Sequence, residues 1–181
     1  MACLEELDDV FISLEMAIKF NTAVESGVIL KEFVDNDIPL TVKDNQNNLF
    51  INANTLHTND DFILWSQNLI MLAFGNASVT LWEAIRMKGV YNASKLGKLN
   101  KLVSEDEKLV GIAYMLRCCF AHGMTRPIWK IKHQRYKAKM EKWGKVIDLA
   151  ALDEISFMYD HIGGYETIWF MKNEFQQKGI V

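Results

Sequence analysis

The stretch "YMLRCCFAHGMTRPIWKIKHQRYKAKM" runs from Tyr114 to Met140 and sets Arg117 and His122 five residues apart among Met, Leu, Cys, Phe and Ala. An arginine presents a planar fork of N–H donors suited to an oxyanion, and a histidine moves a proton near neutral pH. Neither has an acidic residue three or four positions away to neutralise it, so the local sequence leaves both free to meet an external anion. The plainer reading of each is structural: an arginine caps carbonyls or pairs with a distant acid, and a histidine in a last helical turn favours the dipole. Cys118, four residues before His122, has a thiolate reading and a small-residue packing reading, and no nucleophile-elbow pattern surrounds it. No Gly-rich phosphate loop, H-E-x-x-H or other metal-ligand spacing occurs, so no metal and no cofactor is expected.

A helix must carry these residues. Ser104 and Glu107 make a capping box ahead of the apolar run, and Gly123 is placed to stop it, a span of about 18 residues or roughly 27 Å. On that helix Leu109, Ile112, Ala113, Leu116, Cys119 and Phe120 form the core stripe. The opposite side should be charged, yet it carries Val110, Gly111, Tyr114, Met115, Cys118 and Ala121. Such a second face must meet another helix of the chain or the same helix of a second copy. A two-fold contact through Val110, Tyr114, Cys118 and Ala121 would bring two arginines and two histidines into one cleft.

Charge points the same way. The chain has 181 residues, 20 Lys and Arg, 23 Asp and Glu and a net charge of −3. Between Arg126 and Lys145, however, eight cations face the single acid Glu141. That segment is +7 and the remainder −10, the footprint of a polyanion-facing edge or of a solvated lysine-rich hairpin. Arg126, Lys130, Lys132 and Arg135 are the candidate phosphate ligands.

The length suits one domain over residues 1–181, with ordinary globular composition. Cys3, Cys118 and Cys119 give no disulfide framework, which fits a reduced, cytoplasmic chain. Phe62–Trp82 is 21 residues without a charge, but its Ser, Gln, Asn and Thr content makes it a buried helix of a soluble protein, with no membrane partner expected. Leu4, Leu7, Val10, Phe11, Leu14 and Ile18 predict a first helix to about Phe20, and a shorter one is expected over Val24–Val34. The alternation around "DNQNN" reads as a hairpin or loop. Thr58 with Asp61 opens a long central helix to about Lys88, and "GVYNASKLGKLNKLV" is a connector with a short helical piece. After Pro127 the basic stretch, about 126–149, alternates well enough for two or three strands. A last helix is interrupted or started near Gly163–Gly164. Trp129, Tyr136 and Trp143 either stack on bases or anchor the basic segment.

Arg117-Cys118-Cys119-Phe120-Ala121-His122 resembles the R-x4–6-H motif of the HEPN superfamily, and "AHGMTRPIWKIK" with the later "HIGGYE" is similar to a subgroup of small bacterial HEPN-like proteins. The specific similarity covers Leu109–Lys132. The residue after the motif arginine is commonly polar in that family, often Asn, and here is Cys118. The resemblance implies a mainly α fold, an up-and-down four-helix bundle with a small basic β appendage after the motif helix. It implies a homodimer formed through the motif helices and a metal-independent endoribonuclease with Arg117 and His122 as catalytic residues. RNA is the implied substrate, in a toxin or defence setting with an antitoxin protein as a further partner. A non-catalytic RNA- or nucleotide-binding scaffold dimer is the alternative.

Overall fold

The computed structural model describes residues 2–31, 58–91, 93–99, 101–121 and 123–181. The chain is mainly helical, with one small antiparallel sheet among those residues. It forms two compact units, Met1–Leu14 with Met71–Val181, and Glu15–Ile70.

Helix α1, Ala2–Glu25, buries Leu7, Val10, Phe11 and Leu14, the expected helical stripe. It runs on past Phe20 to Glu25, so the start of the shorter helix expected over Val24–Val34 belongs to α1 or to the turn that follows; Lys31 is helical again, and the rest of that expected helix lies outside the described residues. Gly27 adopts a left-handed φ of 72°, and the Val28 and Ile29 N–H groups return to the Ala23 carbonyl. That closes α1 with a glycine turn of the kind that ends helices. The predicted "DNQNN" hairpin lies outside the described residues.

Helix α2, Asn59–Lys88, starts where its capping residues place it. The Thr58 hydroxyl accepts the Asp61 N–H at 3.1 Å, and the Asp61 carboxylate accepts the Thr58 N–H at 2.9 Å. The helix is less uniformly buried than its composition predicts. Phe74, Ala77, Ser78, Leu81 and Ile85 are enclosed, whereas Leu64, Trp65 and Leu72 are exposed. It is the one described helix long and apolar enough to cross a bilayer, and a third of its most apolar window is buried within the chain.

In the smaller unit the Ser66 hydroxyl donates to the Asn21 side-chain oxygen at 2.7 Å, and the Phe20 ring meets Phe62 and Trp65 edge-on. In the larger unit the core is aromatic. Phe157 lies 5.0 Å from Phe120, 5.5 Å from Phe74 and 5.7 Å from Trp129, ring centre to ring centre. Gly75 lets the Phe120 ring reach the α2 backbone, since a Cβ there would lie 2.6 Å from that ring.

Helix α3, Ala93–Lys98, is short and docks through Leu96. Helix α4, Glu105–Phe120, has the full Ser104–Glu107 capping box. It ends one turn before Gly123, with the Ala121 N–H closing on the Arg117 carbonyl. After it, Pro127–Ile131 pairs with 153–157: Trp129 donates to the Ile155 carbonyl at 2.9 Å and Glu154 to that of Trp129 at 2.8 Å. Within the expected basic β segment two strands form, β1, Lys139–Lys142, and β2, Lys145–Asp148, paired antiparallel. Their turn is Trp143-Gly144 with φ of 54° and 69°, the pair of positive values a two-residue hairpin requires. Trp143 tolerates this unfavourable conformation with its ring packed on Phe170.

Helix α5, Thr167–Gln177, follows a turn whose Gly163 has φ 79° and Gly164 φ 110°. The "HIGGYE" segment thereby acquires a structural reason. Lys145 Nζ bonds the Gly163 carbonyl and lies 2.6 Å from Glu166, and a Cβ on Gly163 would collide with the Lys145 stem.

Candidate functional site

Both faces of α4 are covered over most of their length. Leu109, Ile112, Ala113, Leu116, Cys119 and Phe120 point into the core as the wheel predicts. The second face meets the chain itself over most of its length. Val110 is 0 % exposed, and a Cβ on Gly111 would stand 2.3 Å from the Leu102 side chain. The Tyr114 ring is held between Trp82 at 4.8 Å and Tyr136 at 5.3 Å. Val110 therefore has no surface to offer a second copy, which corrects that part of the expected interface. Of the four residues, Tyr114 and Cys118 are half-buried and Ala121 is exposed.

Arg117 is half-buried one turn from the helix end. Its Nε is enclosed with no hydrogen-bond partner, and no acid pairs with the guanidinium among the described residues. His122 lies outside the described residues. The Tyr114 hydroxyl sits beside the Cys118 thiol; burial first, then Cys118 and Tyr136, push it up to about 12, while the Arg117 charge opposes the rise. It is a neutral donor throughout the physiological range. Burial likewise pushes the Cys119 thiol up to about 12, which leaves it an inert packing group.

The eight cations of the basic segment divide. Arg135 Nη1 bonds the Gly97 carbonyl and lies 3.0 Å from that of Leu99, so it caps α3. Nη1 of this expected phosphate ligand is therefore engaged within the chain. Lys142 joins Glu105 at 3.2 Å and Glu174 at 2.9 Å, and Lys145 joins Glu166. With Lys178 on Glu174 and Asp106, these pairs tie the hairpin to the first turn of α4 and to α5. Arg126, Lys130 and Lys132 are exposed and have no acidic partner among the described residues. Lys130 and Lys132 alternate with Trp129 and Ile131, both 0 % exposed, so the cations point outward because the apolar residues between them point in.

The three aromatic residues act as anchors. The Trp129 indole N–H donates to His161 Nδ1 at 3.1 Å, and Tyr136 is buried against Tyr114. The same His161 Nδ1 accepts the Met158 N–H at 3.1 Å. Two donors on one ring nitrogen require the neutral tautomer with its proton on Nε2. Burial lowers the His161 pKa below its ordinary 6.5, with Asp160 opposing.

Sequence reasoning missed the Trp82–Tyr114–Tyr136 clamp. Its members are far apart in the chain, and no local spacing announces it. No cluster of three or more metal-ligating side chains occurs among the described residues. Against family models, curated proteins and solved structures, the chain has no match.

Proposed function

We propose that this chain is a HEPN-like, metal-independent endoribonuclease, its long helices forming an up-and-down four-helix bundle and its working form a homodimer. The observation that carries the reading is Arg117, a half-buried cation near the end of α4 with no acid beside it among the described residues. A cation kept unpaired at the end of a rigid, capped helix is arranged for an anion from outside the chain. Arg126, Lys130 and Lys132, exposed without acidic partners, extend the attraction to a polyanion.

In the proposed reaction the RNA 2′-oxygen attacks the adjacent phosphorus while its proton passes to a base. The bond from phosphorus to the 5′-oxygen breaks, that oxygen takes a proton from an acid, and a cyclic phosphate remains. His122 serves one proton transfer and Arg117 neutralises the phosphorane oxygens. The motif histidine of each chain performs one of these transfers, so the second comes from that of the partner copy. That copy would meet the part of α4 still open, Cys118 and Ala121 with the rim of Tyr114. The second reading, a non-catalytic RNA-binding scaffold, rests on the outward cations, which bind phosphate whether or not chemistry follows.

The test is cleavage of total RNA in EDTA by protein whose mass in light scattering is that of two chains. His122→Ala should lower the rate about 10²–10⁴-fold, and Arg117→Lys should restore little, lacking the planar fork. Equal cleavage by wild type and His122→Ala overturns the enzyme reading. A one-chain mass overturns the dimer.

A further inference from the structure

The end of α4 carries a second donor that the motif does not include. Tyr114 precedes Arg117 by three residues, so the two side chains are neighbours along the helix surface. The Arg117 charge reaches the Tyr114 hydroxyl, and the other groups acting there are Cys118 and Tyr136, none of them an acid. The ring is not free to swing away, since Trp82 and Tyr136 hold it from two sides at 4.8 and 5.3 Å. What stands beside the hydroxyl is a thiol, a weak partner for a phenol. The chain thus holds an aromatic ring rigidly while leaving its polar tip without a strong acceptor. Next to it lies Arg117, half-buried, with no acid beside it among the described residues.

We infer that the Tyr114 hydroxyl and the Arg117 fork together form one oxyanion-binding cradle, with Tyr114 donating to a non-bridging phosphate oxygen of RNA. This rests on the RNA reading above and adds to it a neutral, pre-positioned hydrogen-bond donor. A tetrahedral phosphate diester offers acceptors in more directions than a planar fork can reach, and a phenol on the neighbouring turn supplies the additional direction. The clamp explains why the donor is a tyrosine: its reach and rigidity come from ring packing, at little cost in side-chain entropy on binding. Its hydroxyl stays protonated, so the cradle donates across the physiological range.

The experiment measures binding of a fluorescein-labelled oligouridylate by anisotropy over a salt series, with melting temperatures alongside. Tyr114→Phe keeps the ring in its clamp and removes only the hydroxyl. Affinity should fall about tenfold to a hundredfold, the worth of a hydrogen bond to a charged acceptor. The fall should be equal at every salt concentration, because no charge is removed, and the melting temperature should hold. Arg117→Ala should also weaken binding but reduce the salt slope by about one. If Arg117→Ala loses affinity and Tyr114→Phe matches wild type, the cradle is wrong and the RNA reading survives. If wild type fails to bind oligouridylate at low salt, both fall together. A Tyr114→Phe protein that loses affinity only in step with its melting temperature assigns Tyr114 to packing and overturns the inference.

Discussion

Replacing His161 by alanine tests the link between the basic segment and the turn before α5. In the native chain His161 Nδ1 accepts two N–H groups, the Trp129 indole and the Met158 backbone, each at 3.1 Å. Trp129 is fully buried, so His161→Ala strands its N–H where water cannot replace the acceptor unless it enters the space left behind. A buried donor left unmet costs about 1–3 kcal/mol. For a chain of this length that corresponds to a fall in melting temperature of roughly 2–12 °C. The Met158 N–H, being exposed, adds little. Acid should imitate the mutation. The His161 pKa is below 6.5 in the folded chain because burial disfavours the imidazolium. A depressed folded value means that the neutral acceptor's contribution is complete above about 6.5 and is lost as pH falls through the window beneath it. Protonation puts a hydrogen on Nδ1, and three donors then converge on one point. Differential scanning calorimetry at neutral and mildly acidic pH reads both effects. The pH-dependent part should vanish in His161→Ala, and in a Trp129→Phe background the cost of His161→Ala should shrink. A melting temperature within about 1 °C of wild type for His161→Ala at neutral pH would refute the reasoning.

Three further perturbations separate structural from ligand-facing residues. Gly111→Ala puts a methyl 2.3 Å from the Leu102 side chain. It should destabilise the chain by about 1–3 kcal/mol through overpacking, as read by urea denaturation. Lys130→Gln with Lys132→Gln should leave the melting temperature unchanged and reduce the salt slope of RNA binding by about two. Arg135→Ala, which uncaps α3, should do the reverse: lower stability by about 1 kcal/mol or more with little change in slope.

What was legible from the sequence is what neighbouring residues decide between themselves. The Thr58–Asp61 and Ser104–Glu107 boxes locate the starts of α2 and α4 because each satisfies orphan N–H groups within four residues. The core stripe of α4 follows from helical period alone, as does the outward direction of Lys130 and Lys132 from the alternation with Trp129 and Ile131. Partners far along the chain decided the rest. The second face of α4 looked ready for another molecule, and Leu102, Trp82 and Tyr136 cover most of it. The basic stretch looked like one field of charge, and carbonyls at Gly97 and Leu99 with acids at Glu105, Glu166 and Glu174 take up three of its cations. The physical reason is the range of the forces. Capping and helical period act over one turn and are written in adjacent residues, whereas the neutralisation of a charge or the covering of an apolar face depends on which surfaces the completed fold brings within a few ångströms.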